Sequence, residues 1–114
     1  MKKIILSSLV LFTSLAHAGQ DAKTAWQTLQ NQSANMQKVQ ISGVVANTEI
    51  SKCLTPVIYL SDSANGKRYI ACVLPRTQSW SLDSYQKGQS LNVSGDYYGF
   101  LGGAVVLKNC QVKN

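Results

Sequence analysis

The sequence predicts an all-β domain of five strands closed into a Greek-key barrel, with a short helix between the third and fourth strands and an amphipathic helix in front. Three observations carry that prediction. From Val39 onward, apolar and β-branched residues alternate with period two in five successive segments. Between the third and fourth of these, one segment breaks the alternation and stops at Gly88. All of this fits in about 75 residues, enough for one small domain and too few for two.

The chain opens with MKKIILSSLVLFTSLAHA, a basic start, an apolar run from Ile4 to Leu15 and small residues at Ala16 and Ala18. That is the plan of an export signal, residues 1–18, cut after Ala18. Its apolar run is about 12 residues, short of the roughly 20 that span a bilayer. The expected product is a periplasmic or secreted protein with no transmembrane anchor. Residues 19–38 read as a helix and a linker. Asp21 stands where an N-cap belongs, and Ala22, Trp26 and Leu29 recur on one face of about three helical turns. Trp26 is expected to dock that helix, and the polar QSANMQK that follows reads as linker.

Residues 39–114 read as the barrel. VQISGVVANTEI is a long first strand, with Gly43 marking a bend or bulge. PVIYLSD is the second, and Asn65-Gly66 signals a tight hairpin into the third, KRYIACVLPR, which Pro75 ends. In RTQSWSLDSYQKGQ a short helix is expected, with Ser81 or Asp83 as cap and Trp80 plugging one barrel end. SLNVSGDYYGF is the fourth strand, and AVVLKNCQVK, after Gly102 and Gly103, is the fifth. Strand, strand, strand, helix, strand, strand is the order of the OB-fold. An immunoglobulin-like sandwich would need about seven strands and has no place for the helical connection.

The segments ISGVV (41–45), IYLSD (58–62), IACVL (70–74), YQKGQSLNVSG (85–95) and VVLKNC (105–110) together resemble the bacterial OB-fold family called tRNA-anticodon-like. In that family the first strand reads V-x-G-x-V, the third carries a central Cys, and a Gly-Gln pair leads into the fourth. The resemblance covers about residues 39 to 112 and implies the fold more directly than the function. Tyr85-Gln86, where the family carries leucine, and the additional Cys53 depart from its pattern.

The composition narrows the chemistry. The formal charge is +6 for the whole chain and becomes +4 once Lys2 and Lys3 leave with the signal. A mild basic bias of this size fits an anionic polymer and plain solubility equally. His17, the only histidine, also leaves with the signal, which removes Ser-His and Cys-His pairs and histidine-based metal sites. Phosphate-binding glycine loops, C-x-x-C motifs and carboxylates at helical spacing are absent from the sequence. The expectation is a non-enzymatic binding domain without cofactor or metal, monomeric or weakly associating.

Three cysteines remain, and in an oxidising compartment they allow one disulfide and one free thiol. In an OB-fold the third and fifth strands lie side by side and parallel, placing Cys72 opposite about residue 109. That favours Cys72 with Cys110 and leaves Cys53 free; Cys53 with Cys72 remains the competing pair. Lys52, Tyr59, Lys67, Arg68, Tyr69, Arg76, Tyr97, Tyr98 and Phe100 form a basic and aromatic set on the strands and loops that OB-folds use to hold ligands. Tyr97 and Tyr98 are adjacent, so in a strand only one of them faces the core. The partner is read as an envelope or secreted protein or another ligand, with single-stranded nucleic acid or another anionic polymer as the alternative.

Overall fold

The computed structural model describes residues 19–113, apart from the side chains of residues 79–81, as six strands and one α-helix. The expected export signal and the plug expected of Trp80 lie outside the described residues and side chains. Strand β1 is Gln20–Asp21, helix α1 is Ala22–Leu29, and β2 is Lys38–Ser51. Then come β3 (Thr55–Ser61), β4 (Ile70–Val73), β5 (Ser90–Leu101) and β6 (Ala104–Val112). Two 3-10 segments, Lys52–Leu54 and Arg76–Ser84, join β2 to β3 and β4 to β5.

The sheet runs β1-β2-β3-β4-β6-β5, and β5 pairs back onto β2, so it closes partly into a ring of OB-like topology. Only β1–β2 and β4–β6 are parallel. Five strands were expected; the sixth is β1, which pairs Gln20 and Asp21 with Ile41 and Ser42. Where a helix was expected before the fourth strand, the chain forms a 3-10 segment kinked at Gln78. Helix α1 is eight residues, about two turns rather than three. Asp21 caps it as expected, its carboxylate accepting from the Thr24 amide at 2.7 Å.

Three local expectations are corrected. The second and third strands are joined by residues 62–69, not by a two-residue hairpin. The Gly66 amide donates to the Ser63 carbonyl at 3.1 Å, placing Asn65-Gly66 at the end of a turn rather than at its centre. The third strand is also shorter than expected, beginning at Ile70, so Lys67 to Tyr69 belong to the loop. Gly43 serves close packing: a Cβ there would sit 3.0 Å from Leu60 Cβ and 3.2 Å from Ala22 Cβ. The bulge in β2 falls instead between Val45 and Asn47.

Inward-facing residues build one core: Ile41 and Val45 of β2, Ile58 and Leu60 of β3, Ile70 and Cys72 of β4, Leu91, Val93 and Tyr97 of β5, and Val105, Leu107 and Cys110 of β6. Helix α1 contributes Ala22, Ala25 and Leu29 to that core, and the β4–β5 connection contributes Leu82. Each large side chain removed from water in this way contributes about 1.5–3 kcal/mol. The helix is therefore continuous with the barrel's interior.

The disulfide joins Cys72 to Cys110, whose Cα atoms are 5.5 Å apart, and a bulge makes this possible. Cys72 pairs with Leu107, not with a residue near 109. By strict alternation Asn109 would follow Leu107 onto the inner face. Instead Asn109 adopts φ 51, and the register slips so that residues 109 and 110 of β6 face the single Gly95 of β5. Cys110 turns inward and is fully buried. Gly95 leaves room for it, since a Cβ there would lie 3.3 Å from Cys110 Cα.

Candidate functional site on the outer sheet face

Strands β3, β4 and β6 are apolar on both faces. Their outward residues Val57, Ala71 and Ala104 form a second, smaller cluster with Tyr59, Val73 and Val106 packed against it. The register aligns part of it as a row across the sheet: Tyr59 pairs with Ala71, Ala71 with Val106, and Val106 with Gly99. Tyr98 is the extra residue of a second bulge in β5, between Tyr97 and Gly99. Three strand spacings separate the two ends of the row, about 14 Å.

Each end of the row carries an aromatic ring beneath a cation. Arg68 lies 4.8 Å from the Tyr59 ring centre, and the Lys108 ammonium lies 4.7 Å from that of Tyr98. Both are within the range of favourable cation–π contact. The Tyr59 hydroxyl donates to Glu49 Oε2 at 3.2 Å. Partial burial, reinforced by the Glu49 charge, raises the Tyr59 phenol above its ordinary value, so it stays protonated near neutrality. Tyr98 is 45 % exposed. Beside it, Asn109 donates to Asp96 at 3.1 Å and Lys38 pairs with Asp96 at 3.5 Å. The Asn109 hydrogen bond, with the Lys38 charge, holds the Asp96 carboxyl below its ordinary value.

A second aromatic group lies where α1 meets the hairpins. Trp26 packs 5.2 Å from Tyr69 and 6.2 Å from Phe100, and its indole N–H donates to the Gly103 carbonyl at 2.9 Å. Lys67 covers the same indole at 4.1 Å. Trp26 thus docks the helix, and Tyr69, Phe100 and Lys67 are its receptor rather than an open platform.

The basic and aromatic set therefore divides. Tyr59, Arg68 and Tyr98 share the outer row. Tyr69 is buried, and Tyr97 is 1 % exposed, its hydroxyl 2.6 Å from the Leu29 carbonyl and 3.0 Å from that of Gln32. Both tyrosines, expected among the ligand contacts, lie in the core: Tyr97 on the inward face of β5, and Tyr69 in the loop before β4, packed against Trp26. Lys52 and Arg76 are exposed on the two 3-10 segments, away from the row. Cys53 is an exposed free thiol in the turn with Lys52. Sequence reasoning missed Lys108 and the apolar floor of Ala71 and Val106. The floor had a legible sign, since TPVIYLS and IACV are apolar at both parities.

Among the described residues there is no cluster of three or more potential metal ligands, and no helix long and apolar enough to cross a membrane. Residues 30–111 match the model of the tRNA_anti-like family. No curated protein sequence matches the chain. Of solved structures, a lipoprotein of Klebsiella pneumoniae assigned provisionally to nucleic-acid binding is similar at TM-score 0.54 and 14 % identity, over 82 % of this chain and 78 % of that one. The OBody AM3L15, solved bound to hen egg-white lysozyme, is similar at TM-score 0.50 and 11 % identity, over 75 % and 82 % of the two chains.

Proposed function

The chain belongs to the tRNA_anti-like family, and from that premise we propose that it is an exported, non-enzymatic binding module that holds single-stranded nucleic acid on its outer sheet face. The observation that carries this reading is the row from Tyr59 to Tyr98, with a cation over the ring at each end and a flat apolar floor between. A single strand presents two kinds of group, flat bases and phosphates. Rings and aliphatic floor stack with the first, and Arg68, Lys108 and Lys38 neutralise the second. Phosphate contacts steer and strengthen the encounter without reading sequence. Strands β2 to β6, closed partly into a ring around a common core, supply the support for this face. The Klebsiella lipoprotein and the buried disulfide both fit export to an oxidising envelope compartment.

A protein partner is the second reading, and the aliphatic floor favours it, since Ala71 and Val106 offer no base-specific contact. Salt separates the two. Binding of a fluorescent oligothymidylate, followed by anisotropy, should weaken with salt at a log–log slope of about −0.7 per phosphate contacted, hence near −2 for three cations. A binding curve that does not respond to salt, or no binding at low salt, overturns the nucleic-acid reading. In that case, envelope-protein capture that is lost on Tyr98→Ala supports the protein one.

A further inference from the structure

The bulge of β5 that carries Tyr98 has a second irregularity across from it. Strand β5 pairs with β6 on one side and with β2 on the other, and the β2 ladder reaches Lys38 opposite Asp96. Continued regularly, it would next pair Gln37 with Tyr97, and the two residues would exchange both of their backbone hydrogen bonds. Only one of these forms: the Tyr97 amide donates to the Gln37 carbonyl at 2.9 Å. The Tyr97 carbonyl accepts from the Met36 amide instead, also at 2.9 Å. Two linker residues, Met36 and Gln37, therefore oppose one residue of β5, which is the arrangement of a bulge.

Two features maintain it. Met36 takes φ 57, in the left-handed region that residues other than glycine rarely adopt. The Gln37 amide, displaced from the ladder, donates to Asn35 Oδ1 at 2.9 Å, and Asn35 Nδ2 donates to Gln37 Oε1 at 3.3 Å. A carboxamide two residues before an amide competes in this way with the ladder for its hydrogen bond. If Asn35 offers no acceptor, the Gln37 amide regains the Tyr97 carbonyl and Met36 can leave its left-handed conformation.

Tyr97 thus lies between two bulges, one in the linker and one in its own strand at Tyr98. Its ring is fixed, since it is 1 % exposed and its hydroxyl serves the Leu29 and Gln32 carbonyls. Its carbonyl belongs to the peptide unit that joins it to Tyr98. The tilt of that peptide, and with it the direction in which Tyr98 leaves the strand, depends on whether Met36 or Gln37 donates to it. We infer that Asn35 is a positioning residue for the outer row: by holding the Gln37 amide it keeps the linker bulge, which sets the outward angle of the Tyr98 ring. The inference rests on the reading of Tyr98 as a stacking ring, and it requires no contact between Asn35 and the ligand.

The test compares Asn35→Ala with Asn35→Ser, a neutral change whose hydroxyl can accept the same amide. In oligothymidylate anisotropy, Asn35→Ala should lower affinity about three- to tenfold, less than Tyr98→Ala does. The log–log salt slope should stay the same, because no cation is lost. The thermal midpoint should move by less than about 4 °C, and Asn35→Ser should recover part of the affinity. A second readout needs no ligand: nuclear Overhauser contacts between the Tyr98 ring and the Lys108 side chain, whose ammonium is 4.7 Å from the ring centre. These contacts should weaken in Asn35→Ala and return in Asn35→Ser. Unchanged contacts in Asn35→Ala overturn the inference, and so does an affinity equal to that of the unaltered protein. If the unaltered protein binds no oligothymidylate, the nucleic-acid reading falls, and the contacts alone decide the positioning role.

Discussion

Tyr97 and Tyr98 differ by one position and do opposite work, because strand alternation sends one ring inward and the bulge turns the other out. Tyr97→Phe should cost about 1–2 kcal/mol, since its hydroxyl serves the Leu29 and Gln32 carbonyls at the end of α1; urea denaturation measures this. Tyr98→Ala should change stability by less than about 0.5 kcal/mol, as expected of a surface ring, yet reduce oligothymidylate affinity about tenfold or more. Asp21 carries a pH signature. The Thr24 amide holds its carboxyl below the ordinary value, so its folded-state value lies below the unfolded one. Its contribution is then complete above the unfolded value, near pH 4, and disappears as pH falls through the folded value. Asp21→Asn retains a capping oxygen and should remove that part of the acid sensitivity. Asp21→Ala should cost about 1 kcal/mol at neutral pH, read from the thermal midpoint.

At the scale of elements, the bulge in β6 decides where the disulfide can form. Asn109 takes a left-handed conformation, Gly95 opposite it lacks a side chain, and together they turn Cys110 into the core beside Cys72. Deleting Asn109 should remove the bulge and place Cys110 directly after Lys108, where strict alternation points it inward, so the native thiol count should stay at one, as measured by thiol titration. The alternation of AVVLKNCQVK predicts the strand but not this slip, because a bulge depends on the facing strand. Helix α1 is governed by the same kind of cross-element contact. Its capping residue and apolar spacing were legible in DAKTAWQTL. The receptor of Trp26, formed by Tyr69, Phe100 and the Gly103 carbonyl, comes from two hairpins about 45 and 75 positions further along. Trp26→Ala should loosen the helix and cost about 2–3 kcal/mol, less than a fully buried tryptophan, with increased amide exchange confined first to α1.

For the molecule as a whole, the Cys72–Cys110 bond closes a separation of 38 residues. On the chain-entropy model that contributes about 4 kcal/mol, a large share of the roughly 5–15 kcal/mol that holds a small domain. Cys72→Ala with Cys110→Ala should therefore lower the thermal midpoint by well over 10 °C, whereas Cys53→Ser, at an exposed turn, should leave it nearly unchanged. The sequence by itself determined the all-β class, the order of the five barrel strands and the capped amphipathic helix, and it favoured Cys72 with Cys110 over Cys53 with Cys72. Each of these follows from local periodicity or from the neighbours that one topology imposes. Only the tertiary structure decided that β1 joins the sheet, that Tyr69 and Tyr97 are core, and that Tyr59 and Tyr98 end one row with Lys108 over the second ring. The physical reason is that period two says which residues share a face of a strand. Which strands align their faces, and at what register, is set by bulges and closure around a common interior, and no single segment contains that information.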